Sequence, residues 1–223
     1  MFYPLSCHKS YDKNVKQFVK AKKWDKVIEI LEKEWEIHHL CDFVNVSLKG
    51  IPKFRTVLHE AVLQSCSKEI FDKLLSFGAS KSLKTNDGET AYDIAKRLGL
   101  YGDILHILSF PSDIMKNEDS MIKMQTALHW LMRDRVAHLL DKEKVHMPQL
   151  AYFYEFGKLH FEVPGWCGGF HLEEHKNGIQ VESMNRACGG SEERHIISFS
   201  GKVELIAEGE AYWKKWTKTC HNI

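Results

Sequence analysis

The chain has 223 residues, room for one large or two small domains, and carries 31 basic against 30 acidic side chains. A balance this even provides no basic stripe for nucleic acid, so another protein is the expected partner. No apolar run approaches the roughly 20 residues of a membrane-crossing helix, and Met1-Phe2-Tyr3-Pro4 lacks the plan of a secretory leader, so the expectation is a cytoplasmic protein without a membrane partner.

In chain order, Phe18-Val19-Lys20-Ala21 leads into a helical run whose Val27, Ile28, Leu31 and Trp35 share one apolar face. The basic cluster from Lys20 to Lys26 is broken by Trp24 and Asp25 and reads as a solvated helix face. After Phe43-Val44-Asn45-Val46, one pattern is written twice: Thr56-Val57-Leu58-His59-Glu60-Ala61 and, 34 positions on, Thr90-Ala91-Tyr92-Asp93-Ile94-Ala95. Thr56 and Thr90 each precede an apolar run and suit a helix N-cap. Behind the first copy, apolar positions 70, 71, 74 and 75 fall on one helical face, and Gly78 suits the left-handed residue that ends a helix. Gly99 stands in the same place behind the second copy.

A period of this size with a Thr-x-Leu-His-x-Ala core resembles the ankyrin repeat. The resemblance covers about residues 10–110 as roughly three stacked units, the first of them a polar-backed end unit. Val57 stands where the family has Pro, Ala91 and Tyr92-Asp93 replace Pro and Leu-His, Ser80 replaces Asp, and one residue is extra near Ser65-Cys66-Ser67. The resemblance implies a structural role for His59, whose imidazole would tie neighbouring turns together. It also implies protein binding through finger tips near Lys53, Phe54 and Arg55 and near Asn86, Asp87 and Glu89, with Glu60 and Gln64 on the inner helix face.

Farther on, Asn117-Glu118-Asp119-Ser120 suits the start of a long helix over about 121–142. Thr126-Ala127-Leu128-His129 echoes the repeat within it. Two readings stay open: a helix that closes the exposed end of the solenoid, or a degenerate fourth repeat.

From about 151 the pattern changes to period two, with frequent Gly and aromatic residues. Strands are expected at 159–163, 170–174, 179–184, 196–199 and 202–205, as a meander of four or five. Asn177-Gly178 is a strong hairpin signal. With those two as the loop, Glu173 faces Glu182, His171 faces Met184, Gly169 faces Arg186 and Cys167 faces Cys188. Phe170, Leu172, Val181 and Ser183 then face a core, while His171, Glu173, Glu182 and Arg186 share the other face. Hydration, not a cation, is expected to relieve the opposed glutamates.

Six cysteines without a CxxC pair argue against a disulfide framework. Cys167, His171, His175, Cys188 and His195 are metal-ligand types, but steps of four along a strand lie about 13 Å apart, so neither a metal nor another cofactor is expected. Cys188 with His195 matches no nucleophile motif. Arg186, Arg194 and His195 beside the Cys-Gly-Gly triplets at 167–169 and 188–190 suit an anion pocket better. Phe161-Glu162-Val163-Pro164-Gly165 with Gly168-Gly169-Phe170, and Gly189-Gly190-Ser191 with Arg194-His195, look similar to parts of bacterial ankyrin-repeat proteins of unassigned activity.

The expected architecture is therefore α+β. A short ankyrin-type solenoid (1–110) leads through a capping or linking helix (111–150) to a small antiparallel β module (151–223). The expected function is a protein–protein interaction adaptor. The alternative is an enzyme or effector whose β module acts on a ligand recruited by the repeats, with His195, Arg194, Arg186 and Glu182 as its catalytic candidates.

Overall fold

The computed structural model of the chain describes residues 9–38, 43–47, 54–110, 117–142, 146–157, 159–185 and 191–209. They divide into two compact units, 1–115 and 116–223. The whole is an α+β protein, helical in the first unit and built on an antiparallel sheet in the second.

In the first unit, helices follow one another in pairs: α1 (Lys9–Lys20) with α2 (Trp24–His38), α3 (Val57–Leu63) with α4 (Lys68–Ser76), and α5 (Ala91–Arg97) with α6 (Asp103–Leu108). The first helix of one pair packs on the first of the next, α3 on α5, and the second helices do the same, α2 on α4 and α4 on α6. One apolar core runs through them, including Val27, Ile28, Leu31, Leu58, Val62, Phe71, Leu74, Ile94 and Leu108. The side chain of Trp35 lies outside the described residues.

Local chemistry sets the helix ends. Thr90 Oγ1 accepts from the Asp93 N–H at 3.2 Å while Asp93 Oδ2 accepts from the Thr90 N–H at 2.9 Å, a reciprocal cap that satisfies two orphan donors. Gly78 and Gly99 take left-handed φ of 81° and 70° and close α4 and α5. Behind each, a pair of amides turns back onto the last helical turn: Gly78 to Leu75 and Ala79 to Leu74, Gly99 to Lys96 and Leu100 to Ala95. The end of α3 has the same geometry without glycine. Ser65, at φ 50°, donates to Val62, and Cys66 donates to Ala61. The extra residue in the sequence thus lies at a helix stop that composition alone hides.

His59 links one pair to the next. Its Nδ1 accepts from the Thr56 N–H at 3.2 Å, which fixes the proton on Nε2, and Nε2 donates to the Leu83 carbonyl at 3.1 Å. The ring is fully buried. Burial lowers its pKa from 6.5 to about 4, against the opposing pull of the Leu83 hydrogen bond. Asn45 makes a parallel link, donating to the Gly78 carbonyl at 2.8 Å and accepting from the Ser80 N–H at 2.6 Å. Ser80, where an Asp is usual in the resembled family, is buried and accepts from the Leu83 N–H at 3.3 Å, so its hydroxyl serves the turn without a charge.

The second unit contains α7 (Glu118–Lys142), α8 (Leu150–Phe156) and strands β1 (Leu159–Glu162), β2 (Gly168–His175), β3 (Gly178–Asn185), β4 (Glu192–Ser198) and β5 (Val203–Glu208). The strands pair antiparallel in chain order. Leu159, Phe161, Phe170, Leu172, Val181, Ile179 and Ile197 share the buried face, against which α7 packs at β4 and α8 at β1. Helix α7 starts three residues before the expected position and breaks its helical geometry at Val136 (φ −144°). Thr126 sits inside it and donates to the Ile122 carbonyl at 2.8 Å, so the echo at 126–129 opens no helix. Its His129 and Gln125 instead meet the Pro148 carbonyl, at 2.9 Å each, and hold the approach to α8.

Two expectations are corrected in this unit. Residues 150–156 form a helix where period two was expected from 151; Leu150, Tyr152 and Phe153 are buried and Gly157, at φ 80°, ends it. The β2–β3 register is shifted by two: Glu173 faces Gln180, His171 faces Glu182 and Gly169 faces Met184, with Lys176 and Asn177 as the loop. Gly178 is the reason. A Cβ there would lie 2.0 Å from the Ile197 carbonyl oxygen, so its missing side chain is used for strand contact and not for the turn. A shift of two keeps every residue on its expected face, and Phe170, Leu172, Val181 and Ser183 are all buried. Gly168 and Gly169 serve the same purpose, with added Cβ atoms 1.7 Å from the Met184 oxygen and 2.5 Å from the Phe161 oxygen. The expected Cys167–Cys188 and Gly169–Arg186 pairs involve positions 186 and 188, outside the described residues.

The neutral His59 makes stability depend on pH. The unfolded ring gains its proton near 6.5 and the folded ring only near 4, so the stabilisation is whole above 6.5 and is lost as pH falls toward 4. That loss is about 3 kcal/mol, and urea titrations from pH 7.5 to 4 should show it as the difference in slope between the natural chain and His59→Gln. Gly178→Ala should cost at least about 2 kcal/mol in the same assay, because the clash is with backbone that cannot rotate away.

Candidate functional site

The residues expected to contact a partner fall into two groups with different surroundings. At the first tip, Lys53 lies outside the described residues. Phe54 is only 5 % exposed and its φ is 51°, so its ring belongs to the interior and not to a tip, which corrects the expectation. Arg55 Nε stands 2.7 Å from Glu60 Oε1, with both side chains mostly buried. Burial raises the Glu60 pKa, and Arg55 opposes that rise. Gln64 donates to the Val19 carbonyl at 3.0 Å and accepts from Trp24 Nε1 at 3.1 Å. Gln64 therefore fastens α3 to α1 and α2, and Glu60 is held by Arg55 at the entry to α3, so the two do not form an open inner face.

The second tip is different. Gly88, at φ 79°, donates to the Thr85 carbonyl, and the Thr85 N–H returns to the Glu89 carbonyl, each at 2.9 Å. Arg97 grips Glu89 with two donors, Nε at 2.7 Å and Nη2 at 3.1 Å. Thr85 beneath is buried, while Asn86 and Asp87 stand exposed on this braced turn. Nothing in the repeat pattern identified Arg97, because its partner lies across the loop and helix α5, eight residues back in sequence.

In the sheet, the three described catalytic candidates, Glu182, Arg194 and His195, do not converge. Glu182 and Arg194 face each other across β3 and β4 and pair at 2.6 Å. His171 follows in the same cross-strand row, opposite Glu182, and His160 lies opposite His171 with ring centres 6.2 Å apart. His171 Nε2 is 3.1 Å from Glu173. His195 sits one residue beyond Arg194 and hence on the other face, 7 % exposed. There burial first, then the nearby Arg135 charge, lowers its pKa. Arg135 of α7 contacts Glu193 and Ser191 Oγ on that side. Arg186 lies outside the described residues.

The polar row borders a shallow recess of only about 20 Å³ lined by Glu182, Ser183, Met184, Glu192, Arg194 and Ala207 among others. Burial and the neighbouring Glu182 raise the Glu192 pKa. Ser183 lines this recess with no His among the described lining residues, and the carboxylate–guanidinium pair already satisfies its own charge. Burial pushes the Cys66 thiol up to about 11, away from thiolate chemistry, and Cys167 is exposed. Among the described residues no three His, Cys, Asp or Glu side chains are grouped to hold a metal ion. No described helix is long and apolar enough to cross a membrane.

An interior Phe54 has a measurable consequence. Phe54→Ala should lower unfolding free energy by about 3 kcal/mol, whereas Asp87→Ala on the exposed turn should change it by less than about 0.5 kcal/mol, both read from urea midpoints. Compared with known proteins, the chain matches no protein-family model and no curated protein.

Proposed function

We propose that the first unit is a short ankyrin-type solenoid and that the chain acts as an intracellular protein–protein interaction adaptor. The observation that carries this reading is the braced turn at 85–89, which presents Asn86 and Asp87 while Glu89 and Arg97 hold its base. A tip that is ordered before binding loses little entropy on association, so polar contacts made there are converted efficiently into affinity. The stacking of first helices on first and second on second, and the imidazole bridge from α3 to Leu83, support the solenoid reading. The partner's complementary chemistry is a donor-rich or basic surface facing the Asp87 carboxylate and the Asn86 amide. The alternative, catalysis in the β module, draws no support from a sheet that holds His195 on the face opposite Glu182 and Arg194.

Photo-crosslinking tests the adaptor reading directly. A crosslinker placed at Asn86 or Asp87 should capture a discrete protein in cells, one at exposed Asp72 on α4 should not, and Asp87→Lys should cut capture at position 86 at least fivefold. Equal capture from all three positions, or none from the turn, would refute the assignment.

A further inference from the structure

Strand β1 has only four residues and lies at one margin of the sheet, paired to β2. Their register sets His160 directly opposite His171, with ring centres 6.2 Å apart and ring planes inclined at 43°. Facing residues on antiparallel strands bring their Cβ atoms to about 4.5–5.5 Å, so the separation that keeps His171 from His175 along one strand does not apply across two. The sequence pattern set these residues on separate strands and gave no sign that they meet.

Both imidazoles alternate with the buried Leu159, Phe161, Phe170 and Leu172 and so lie on the polar face of the sheet, yet their side chains are only 18 % and 14 % exposed. Rings already packed in place lose little freedom on taking a ligand. A carboxylate stands beside each ring on its own strand: Glu173 Oε1 is 3.1 Å from His171 Nε2, and Glu162 Oε1 is 3.9 Å from His160 Nε2. With Nε2 donating to Glu173, the His171 lone pair is on Nδ1, and a carboxylate behind the opposite ring nitrogen is the usual support of a metal-bound histidine. Glu182 faces His171 from β3, but Arg194 neutralises it at 2.6 Å, so the negative charge open to a cation here belongs to Glu162 and Glu173. A metal ion about 2.0–2.1 Å from a nitrogen of each ring lies about 3.2 Å from each ring centre, so a bridged pair spans about 5.2 Å at a tetrahedral angle and up to about 6.4 Å. The observed separation falls inside that range.

We propose that His160 and His171 form a two-imidazole site for a divalent transition metal such as Zn2+, which clips the short strand β1 to β2. Imidazole ligands select Zn2+, Ni2+ or Cu2+ over Mg2+ and Ca2+. The described residues supply two ligands and no third, so water completes the coordination while Glu162 and Glu173 add negative charge around it. Two imidazoles alone suit a weak, reversible site with a dissociation constant of about 10–100 µM.

In the full chain at pH 7.5, Zn2+ titrated to about 1 mM should shift the imidazole NMR signals of His160 and His171 together, with one common midpoint near about 30 µM, while buried His59 stays unmoved and Mg2+ shifts none of them. His160→Gln and His171→Gln should each weaken binding at this site at least about tenfold, and the double variant should differ from either by less than about twofold, because one imidazole cannot chelate. In urea titrations, about 300 µM Zn2+ should raise the folding equilibrium constant about tenfold in the natural chain and less than about twofold in either variant. Two rings that stay unmoved to 1 mM, or that titrate at separate midpoints, would overturn the proposal, and so would an affinity that either substitution leaves intact. The common midpoint is read on the natural chain and does not depend on how well a variant folds.

Discussion

The hydrogen bonds of one buried ring, His59, hold the first unit in register. A neutral imidazole has one donor and one acceptor, and here both face backbone: the acceptor meets the amide at the start of α3 and the donor meets the carbonyl of Leu83, which precedes the next helix pair. Losing either partner would leave a polar group buried without compensation, so the cap and the following turn are coupled. Thr90 opens α5 without such a ring, using Asp93 at the water-exposed end of the stack, where a charge can be solvated. The two caps solve the same problem of orphan amides under different dielectric conditions.

From that coupling follows the character of the exposed turn at 85–89. Leu83 is tied down by His59 and Thr85 is buried, so the chain enters the turn from a fixed point. Arg97 anchors its exit through Glu89. Asn86 and Asp87 are displayed by a rigid frame, and the first tip, by contrast, turns Phe54 inward and uses Arg55 to neutralise a mostly buried carboxylate. A recognition surface built on this unit would thus be centred on the second tip.

In the second unit the governing constraint is close approach of backbones at glycine. Gly168, Gly169 and Gly178 leave no room for a Cβ against their neighbours, and they place β2 and β3 two residues away from the register that an Asn-Gly loop would impose. The shift exchanges an opposed glutamate pair for a row in which His171, Glu182 and Arg194 face one another in turn, so charge that would repel is instead paired. The same pleat carries His195 to the helix-covered face. Adjacent residues on a strand share no site unless a bulge intervenes, and here the bulge lies on β5.

What the sequence by itself determined was local: the threonine caps at 56 and 90, the glycine stops at 78 and 99, the long helix near 121–142, and the alternation that sorts Phe170, Leu172, Val181 and Ser183 to the buried face. Each depends on residues within about one turn or one hairpin, so the signal and its cause are neighbours in the chain. The tertiary structure decided the rest. Ser65 occupies a glycine's conformation because α3 is buried on nearly every side, and 150–156 coils because Tyr152 and Phe153 have an interior to fill. Gly178 served a neighbouring strand and not its own turn, and Arg97 and Arg135 found carboxylates whose approach no spacing announces. These choices depend on surfaces brought together from distant parts of the chain, where the free energy of burying or pairing a group exceeds the small preferences of the local backbone.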